Sequence, residues 1–138
     1  MQPLQRIYET VLYANDLSVA AEFYQRVVGL KLLTQNELML VFSIGTGYLL
    51  IFDPAKSSAA GRLVPSHGCS GDGHVAFTVE ESELAAWRQK LADEGVEVEM
   101  EVEWSEGKRG QSIYFRDPSG NSLELAPPIL WSYLHAPS

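Results

Sequence analysis

Three ionisable side chains near the ends of candidate strands could together bind a metal ion. Glu9 lies in "IYETVLY", His74 opens "GHVAFTV" and Glu124 lies in "NSLELA". Two carboxylates supply hard oxygen ligands, and an imidazole is accepted by most first-row divalent ions. Three protein ligands leave coordination positions open for water or substrate, which is typical of a catalytic site. We therefore predict that these residues bind one divalent ion (Zn, Ni, Mn or Fe).

Alternation along the candidate strands predicts a polar face. Successive strand side chains point to opposite sides, so in "GHVAFTV" the residues Val75 and Phe77 lie opposite His74. The stretches "QSIYFRD" and "NSLELA" divide in the same way. A sheet curved around this face would form a cup, into which we expect four ionisable side chains to point: His74, Tyr114, Arg116 and Glu124.

Glu9 shares a strand face with Ile7, Val11 and Tyr13, so it is a lone carboxylate among apolar neighbours. An unpaired ionised carboxylate in a low-dielectric environment costs several kcal/mol. Either Glu9 points to water or a cation meets it, and a bound divalent ion would remove the cost.

Three further residues are candidates for the chemistry. Tyr114 could polarise or deprotonate a bound substrate, or could form a hydrogen bond at the sheet edge. Arg116 could bind a substrate carboxylate through two hydrogen bonds, or could pair with Asp117 or Glu124. His67 lies in a loop, where it could be a general acid or base because histidine titrates near neutrality, or an ordinary loop residue.

The two halves of the chain carry the same order of elements. Each has a strand, a helix closed by glycine (Gly29 or Gly95) and three further strands. A βαβββ repeat of about 60 residues indicates a duplicated module. Aligning the halves places Glu9 opposite His74 and Leu50 opposite Glu124. We predict one domain over residues 1–138, with four parts: module one at about 5–54, a linker at about 55–72, module two at about 73–128 and a tail at 129–138.

Composition indicates a globular protein. The chain has 138 residues, of which 46% are hydrophobic and 20% charged, enough for one domain with a core. The net charge of −8 argues against nucleic-acid or anionic-membrane partners, which require clustered Lys and Arg. Cys69 is the single cysteine, which fits a reducing compartment. No signal-peptide pattern or apolar run of about 20 residues occurs, so we predict a soluble, cytoplasmic protein.

Three stretches resemble the vicinal oxygen chelate superfamily, also called the glyoxalase/bleomycin resistance/dioxygenase superfamily. They are "YETVLYANDLSVAAEFYQRVVGLKL", "GHVAFTV" and "YFRDPSGNSLELAPP", and the resemblance spans roughly residues 5–128. It implies an α+β fold of two βαβββ modules, which form a U-shaped mixed eight-stranded sheet with helices on its outer face. The implied metal ligands are Glu9, His74 and Glu124, with Leu50 at a possible fourth position. The resemblance also implies a homodimer, since members of this length are commonly homodimers, and in some the site combines modules of two chains.

The sequence departs from several members of that superfamily. Leu50 stands where glyoxalase I carries a carboxylate ligand, so glyoxalase I activity is disfavoured. Extradiol dioxygenases and fosfomycin-resistance transferases typically have histidine where this chain has Glu9. Tyr114 matches the tyrosine of the extradiol signature, but the upstream histidine of that signature is absent, which disfavours ring cleavage.

The resemblance and the residues together predict a metal-dependent, glyoxalase-like enzyme. It would chelate a small-molecule substrate through vicinal oxygens and stabilise an enolate or oxyanion. Lyase, isomerase, transferase and dioxygenase chemistry remain open. The alternative is a metal-free protein of the bleomycin-resistance type, which sequesters a cationic drug in an acidic cup.

Overall fold

The computed structural model describes residues 1–135, so the last three residues of the expected tail lie outside the described part. The chain divides into two compact units, Met1–Asp72 and Gly73–Ser138. Each contains a four-stranded mixed sheet. The division falls at the end of the predicted linker, whose first residues form part of a short helix. No helix in residues 1–135 is both long enough and apolar enough to cross a membrane.

The first unit is built on a sheet with strand order β1-β4-β3-β2. Strand β1 runs parallel to β4, and the other pairs are antiparallel. Strand β3 alternates buried and less buried residues and β4 ends in an apolar run, and these two strands share the core of this unit with the helical residues 20–28. The elements are β1 (Glu9–Tyr13), α1 (Leu17–Phe23), β2 (Lys31–Gln35), β3 (Met39–Ile44), β4 (Gly47–Phe52) and α2 (Pro54–Ser57).

The second unit repeats this arrangement with strand order β5-β8-β7-β6. Strand β5 runs parallel to β8, and the remaining pairs are antiparallel. The buried apolar face of β7 and β8 carries Ile113, Phe115, Leu123 and Leu125, as the alternation predicts. The elements are β5 (His74–Thr78), α3 (Leu84–Asp93), β6 (Val98–Glu103), β7 (Gln111–Arg116) and β8 (Ser122–Ala126).

The registers of the two parallel strand pairs are equivalent. Val11 of β1 pairs with Leu50 of β4, and Ala76 of β5 pairs with Glu124 of β8. Each parallel strand begins two residues earlier, at Glu9 or His74. The predicted alignment of Glu9 with His74, and of Leu50 with Glu124, is therefore confirmed at the level of strand pairing. The predicted α+β fold of paired βαβββ modules is likewise confirmed.

Helix α1 begins and ends with the signals that the sequence contains. The Asp16 side chain accepts a hydrogen bond from the Val19 backbone N–H at 3.1 Å, which satisfies one of the free donors at a helix N-terminus. The helix continues as a π-helical turn, Tyr24–Val28, and ends at Gly29 with φ of +80°. Glycine adopts this left-handed conformation without steric cost.

Replacing Asp16 tests the contribution of this cap to stability. We expect Asp16→Ala to lower the free energy of unfolding by about 1 kcal/mol, because the Val19 N–H loses its side-chain acceptor. Asp16→Asn keeps an acceptor oxygen and should remain within a few tenths of a kcal/mol of wild type. Urea titrations measure both, and an equal loss in the two variants would contradict the role of the cap.

Candidate functional site: a His–Glu–Tyr cluster in the second unit

Strand pairing brings His74, Glu124 and Tyr114 together on one face. Strand β8 lies between β5 and β7, and Glu124 is in register with Ala76 on one side and Tyr114 on the other. His74 is in register with Ser122, two residues before Glu124. Since side chains two residues apart share a face, the polar groups converge around Glu124, which is only 5% exposed.

The hydrogen bond of His74 fixes which of its ring nitrogens can bind a ligand. Its Nδ1 lies 2.9 Å from the Ser122 backbone oxygen. A carbonyl oxygen only accepts, so Nδ1 carries a proton, and in the neutral ring Nε2 presents a lone pair. That Nε2 lies 3.7 Å from Glu124 Oε2. Two acceptor atoms thus face each other, at a separation too long for a hydrogen bond.

A cation between these two atoms would resolve the arrangement. Ligand atoms at about 2.1 Å from one ion lie about 3–4 Å apart, and the observed separation of 3.7 Å falls in this range. A metal-ligating histidine also commonly donates its other ring N–H to a carbonyl, as His74 does to Ser122. The residues present therefore fit two ligands of a divalent ion.

The Tyr114 hydroxyl is engaged with the carboxylate rather than free for a substrate. It donates a hydrogen bond to Glu124 Oε1, and its ring stacks near that of His74 with centroids 6.3 Å apart. Burial, together with the hydrogen bond to Glu124 and the charge of its carboxylate, raises the pKa of Tyr114 to about 12. Tyr114 is therefore a proton donor at neutral pH, which supports the hydrogen-bonding alternative over a deprotonating role.

Hydrogen bonds from Trp104 through Ser112 also hold the Tyr114 hydroxyl in place. The Trp104 indole Nε1–H donates to Ser112 Oγ at 2.8 Å, and Ser112 is fully buried. A hydrogen bond between Ser112 and Tyr114 partly offsets the rise in the pKa of Tyr114. The polar groups from Trp104 to Glu124 thus form one continuous network. Alternation already places Ser112 on the face of Tyr114, but the approach of the Trp104 indole has no sequence signal.

Arg116 lies at the end of β7, and its guanidinium forms an ion pair. Its Nε and Nη2 contact the two Glu99 carboxylate oxygens at 2.9 and 3.1 Å, and Nη1 donates to the Gly120 carbonyl at 3.0 Å. This geometry favours a structural ion pair, with Glu99 as a partner that the sequence did not indicate. Substrate binding by Arg116 stays a prediction.

Of the three positions in the first unit that are equivalent to His74, Glu124 and Tyr114, one is polar: Glu9, at the position of His74. Glu9 is exposed at the start of β1, so the alternative that it points to water agrees with its placement there. Leu50 and Val41 occupy the positions equivalent to Glu124 and Tyr114. Neither unit by itself, within residues 1–135, brings together three His, Cys, Asp or Glu side chains that could hold an ion. The three-ligand site stays a prediction.

His67 is fixed by contacts within the first unit. Its Nδ1 lies 2.7 Å from the Tyr13 hydroxyl, and its ring meets the edge of Phe52 with centroids 4.6 Å apart. His67 and Cys69 line an open cavity of about 530 Å³. Burial raises the pKa of Tyr13, so Tyr13 keeps its proton at neutral pH. The sequence places Tyr13 on the face of Glu9, but its pairing with His67 across 54 residues was missed.

These features define a class of protein: a duplicated βαβββ fold whose second module presents a histidine–carboxylate pair suited to a divalent ion. Residues 6–125 match the family model described as the Glyoxalase/Bleomycin resistance protein/Dioxygenase superfamily. The chain belongs to this superfamily, and the resemblance noted in the sequence is confirmed.

Several relatives of known name are similar to this chain. A metallothiol transferase of Bacillus licheniformis is 35% identical over 111 residues, which cover 80% of this chain and 68% of that protein. A glutathione transferase of Serratia marcescens is 31% identical over 124 residues, covering 88% and 80%. The crystal structure of lactoylglutathione lyase from Agrobacterium tumefaciens has a TM-score of 0.88 and 36% identity, covering 94% of this chain and 98% of that one.

The raised pKa of Tyr114 predicts a pH dependence of stability. The folded-state pKa of about 12 lies above the ordinary value of 10.0, so the contribution of Tyr114 is complete below pH 10 and is lost as the pH rises towards 12. We expect the free energy of unfolding to fall less steeply over this range in Tyr114→Phe than in wild type. Urea titrations from pH 8 to 12 measure this, and parallel curves would refute it.

Proposed function

We propose that the protein is a metal-dependent enzyme whose divalent ion is held by Glu9, His74 and Glu124. The observation that carries this proposal is the pair of facing acceptors, His74 Nε2 and Glu124 Oε2, 3.7 Å apart. With a neutral imidazole, Glu124 Oε2 has no donor on the side of His74, and a cation between the two atoms would supply that partner. Membership of the superfamily supports Glu9 as the third ligand, because its strand position is equivalent to that of His74.

The bound ion would act as a Lewis acid, chelating vicinal oxygens of the substrate and stabilising developing negative charge on them. The Tyr114 hydroxyl donates a hydrogen bond to Glu124 Oε1, which leaves Oε2 as the oxygen available on the side of His74. Fixing the carboxylate in this way orients the ligand and limits its rotation. His67 remains the proposed acid or base, and Arg116 the proposed substrate-binding residue.

The names of the relatives support a thiol as co-substrate. Two of them are transferases named for a metallothiol or glutathione, and a third is a lyase named for a glutathione conjugate. We propose thiol transfer: the thiolate sulfur bonds to an electrophilic carbon, a carbon–oxygen bond breaks, and the released oxygen takes the electron pair and then a proton. Leu50, at the position of a possible fourth ligand, disfavours the lyase reaction.

Metal analysis of the purified protein tests the ion. We expect one divalent ion per Glu9–His74–Glu124 set, and a loss of affinity in His74→Ala and Glu9→Gln larger than the roughly 10–100-fold that outer-shell changes cause. His135→Ala, which removes another histidine, should bind as wild type does. Isothermal titration with Mn²⁺ and Zn²⁺ gives the affinities. Absence of metal together with tight binding of a cationic drug would instead support the sequestration alternative.

Removing the ion should lower the melting temperature, because the metal binds the folded chain in preference to the unfolded one. At a free metal concentration 100-fold above Kd, binding raises the free energy of unfolding by about 2.7 kcal/mol. This corresponds to a rise in melting temperature of roughly 10 °C for a domain of this size. Thermal scans of metal-loaded protein with and without chelator measure the shift. The same scan of His74→Ala should show no response to chelator.

Two assays separate thiol transfer from the lyase reaction. We expect metal-loaded protein to consume glutathione or another low-molecular-weight thiol in the presence of an epoxide, because ring opening releases an oxyanion that a Lewis acid stabilises. Turnover of lactoylglutathione is expected to be absent. The reverse result would identify lyase activity and contradict the assignment to transfer.

A mixing experiment tests the expected homodimer and a site shared between chains. Glu9→Gln and His74→Ala chains are inactive separately if both residues are ligands. In a shared site, a mixed dimer contains one site with both ligands intact, so activity should return on co-refolding. No recovery in mixed dimers confirmed by mass spectrometry would assign the site to a single chain.

A further inference from the structure

Asp117 and Asn121 form a buried polar pair in the turn between β7 and β8. They are 5% and 3% exposed. The Asn121 side-chain amide donates to Asp117 Oδ2 at 2.8 Å, and Asp117 Oδ1 accepts from the backbone N–H groups of Ser119 and Asn121 at 2.9 Å each. The side chains of Asp117 and Asn121 therefore close this turn, which leads directly into β8, the strand that carries Glu124.

Asn121 also holds the start of β5, which is 48 residues away in sequence. Its Oδ1 accepts from the Gly73 backbone N–H at 2.8 Å. The next backbone N–H, of Ser122, donates to the Gly73 carbonyl at 2.9 Å. His74 Nδ1 then donates to the Ser122 carbonyl at 2.9 Å. A continuous series of hydrogen bonds thus connects Asp117 to the imidazole ring of His74.

We propose that Asp117 and Asn121 are positioning residues that fix the tautomer and orientation of His74. This inference rests on the proposed function in so far as His74 is a metal ligand. Strand β5 lies at the edge of its sheet beside β8, and the residue before it, Gly73, is held there by the Asn121 side chain as well as by the Ser122 backbone N–H. A fixed Ser122 carbonyl holds the proton on Nδ1 and leaves Nε2 directed at Glu124 Oε2.

Nitrogen-detected NMR of the histidine rings tests this inference directly. In wild type at pH 8 we expect the His74 ring nitrogens to show one protonated Nδ1 and one unprotonated Nε2. In Asn121→Ala the Gly73 N–H loses its acceptor, so the two nitrogen shifts should move towards the averaged values of exchanging tautomers. The Mn²⁺ affinity should weaken by about 10-fold, as for other outer-shell partners.

A second variant guards against loss of folding. Asp117→Asn is isosteric, but it sets two amide NH₂ groups against each other, so one side chain must turn away from its present partners. The same change in the His74 nitrogen shifts is expected. The reciprocal exchange Asp117→Asn with Asn121→Asp restores a donor and an acceptor at each contact described above, and should recover both the shifts and the Mn²⁺ affinity.

Glu99→Gln is the matched control. It weakens the ion pair with Arg116 at the same end of β7 without touching the series that leads to His74. Its His74 shifts and Mn²⁺ affinity should equal those of wild type, even if its melting temperature falls. A purely structural role for Asn121 would lower the melting temperature of Asn121→Ala and leave both other readouts unchanged.

The outcomes separate this inference from the proposed function. Unchanged His74 nitrogen shifts in both Asn121→Ala and Asp117→Asn overturn the inference, whether or not Mn²⁺ binds. A wild-type protein that binds no divalent ion overturns the proposed function, while altered shifts in the variants still support the positioning of His74. Altered His74 shifts and weakened Mn²⁺ binding in the single variants, with recovery in the Asp117→Asn, Asn121→Asp exchange, support the positioning role and the proposed metal site together.

Discussion

The Glu124 carboxylate is the constraint on which the second unit depends. It is buried beside the His74 imidazole, and its Oε1 accepts a hydrogen bond from the Tyr114 hydroxyl. Burying a carboxylate is unfavourable unless its oxygens are satisfied. Tyr114 satisfies one oxygen, and the cation that we propose satisfies the other. The strand order makes both contacts available, since β8 lies between the strands that carry His74 and Tyr114.

The surrounding hydrogen bonds make this arrangement specific. Tyr114 is itself held by Ser112, which accepts from the Trp104 indole. His74 is held from the other side through the Ser122 carbonyl. A buried hydrogen-bond network is rigid when each polar group has a partner, whereas a buried polar group without a partner lowers the free energy of unfolding. The residues that bind a metal need this rigidity, because ligand orientation depends on outer-shell contacts.

The two modules have diverged at equivalent positions while keeping the same registers. Leu50 and Val41 of the first unit stand where the second unit has Glu124 and Tyr114. An apolar pair at these positions supports packing and needs no cation. The second module thus carries the polar cluster, whereas the first keeps an apolar pair at the equivalent positions. Glu9 is the remaining carboxylate at a site-equivalent position of the first module.

Much of the fold was predictable from local patterns. Period-two alternation identified the strands, and Gly29 marked the end of the π-helical turn that continues α1. The alignment of Glu9 with His74 followed from the repeat, and the common face of His74, Tyr114 and Glu124 followed from alternation. Such signals survive in sequence because each depends on neighbours within one element.

Pairing across distance was decided by the tertiary structure alone. The sequence offered Asp117 or Glu124 as partners of Arg116, whereas the structure adds Glu99 from the neighbouring strand. It likewise joins Tyr13 to His67 and Asn121 to Gly73, which lie 54 and 48 residues apart. The sequence determined which side chains share a face, because the backbone repeat sets direction. Only the folded chain determined which of them meet, because strand order and loop paths set distance.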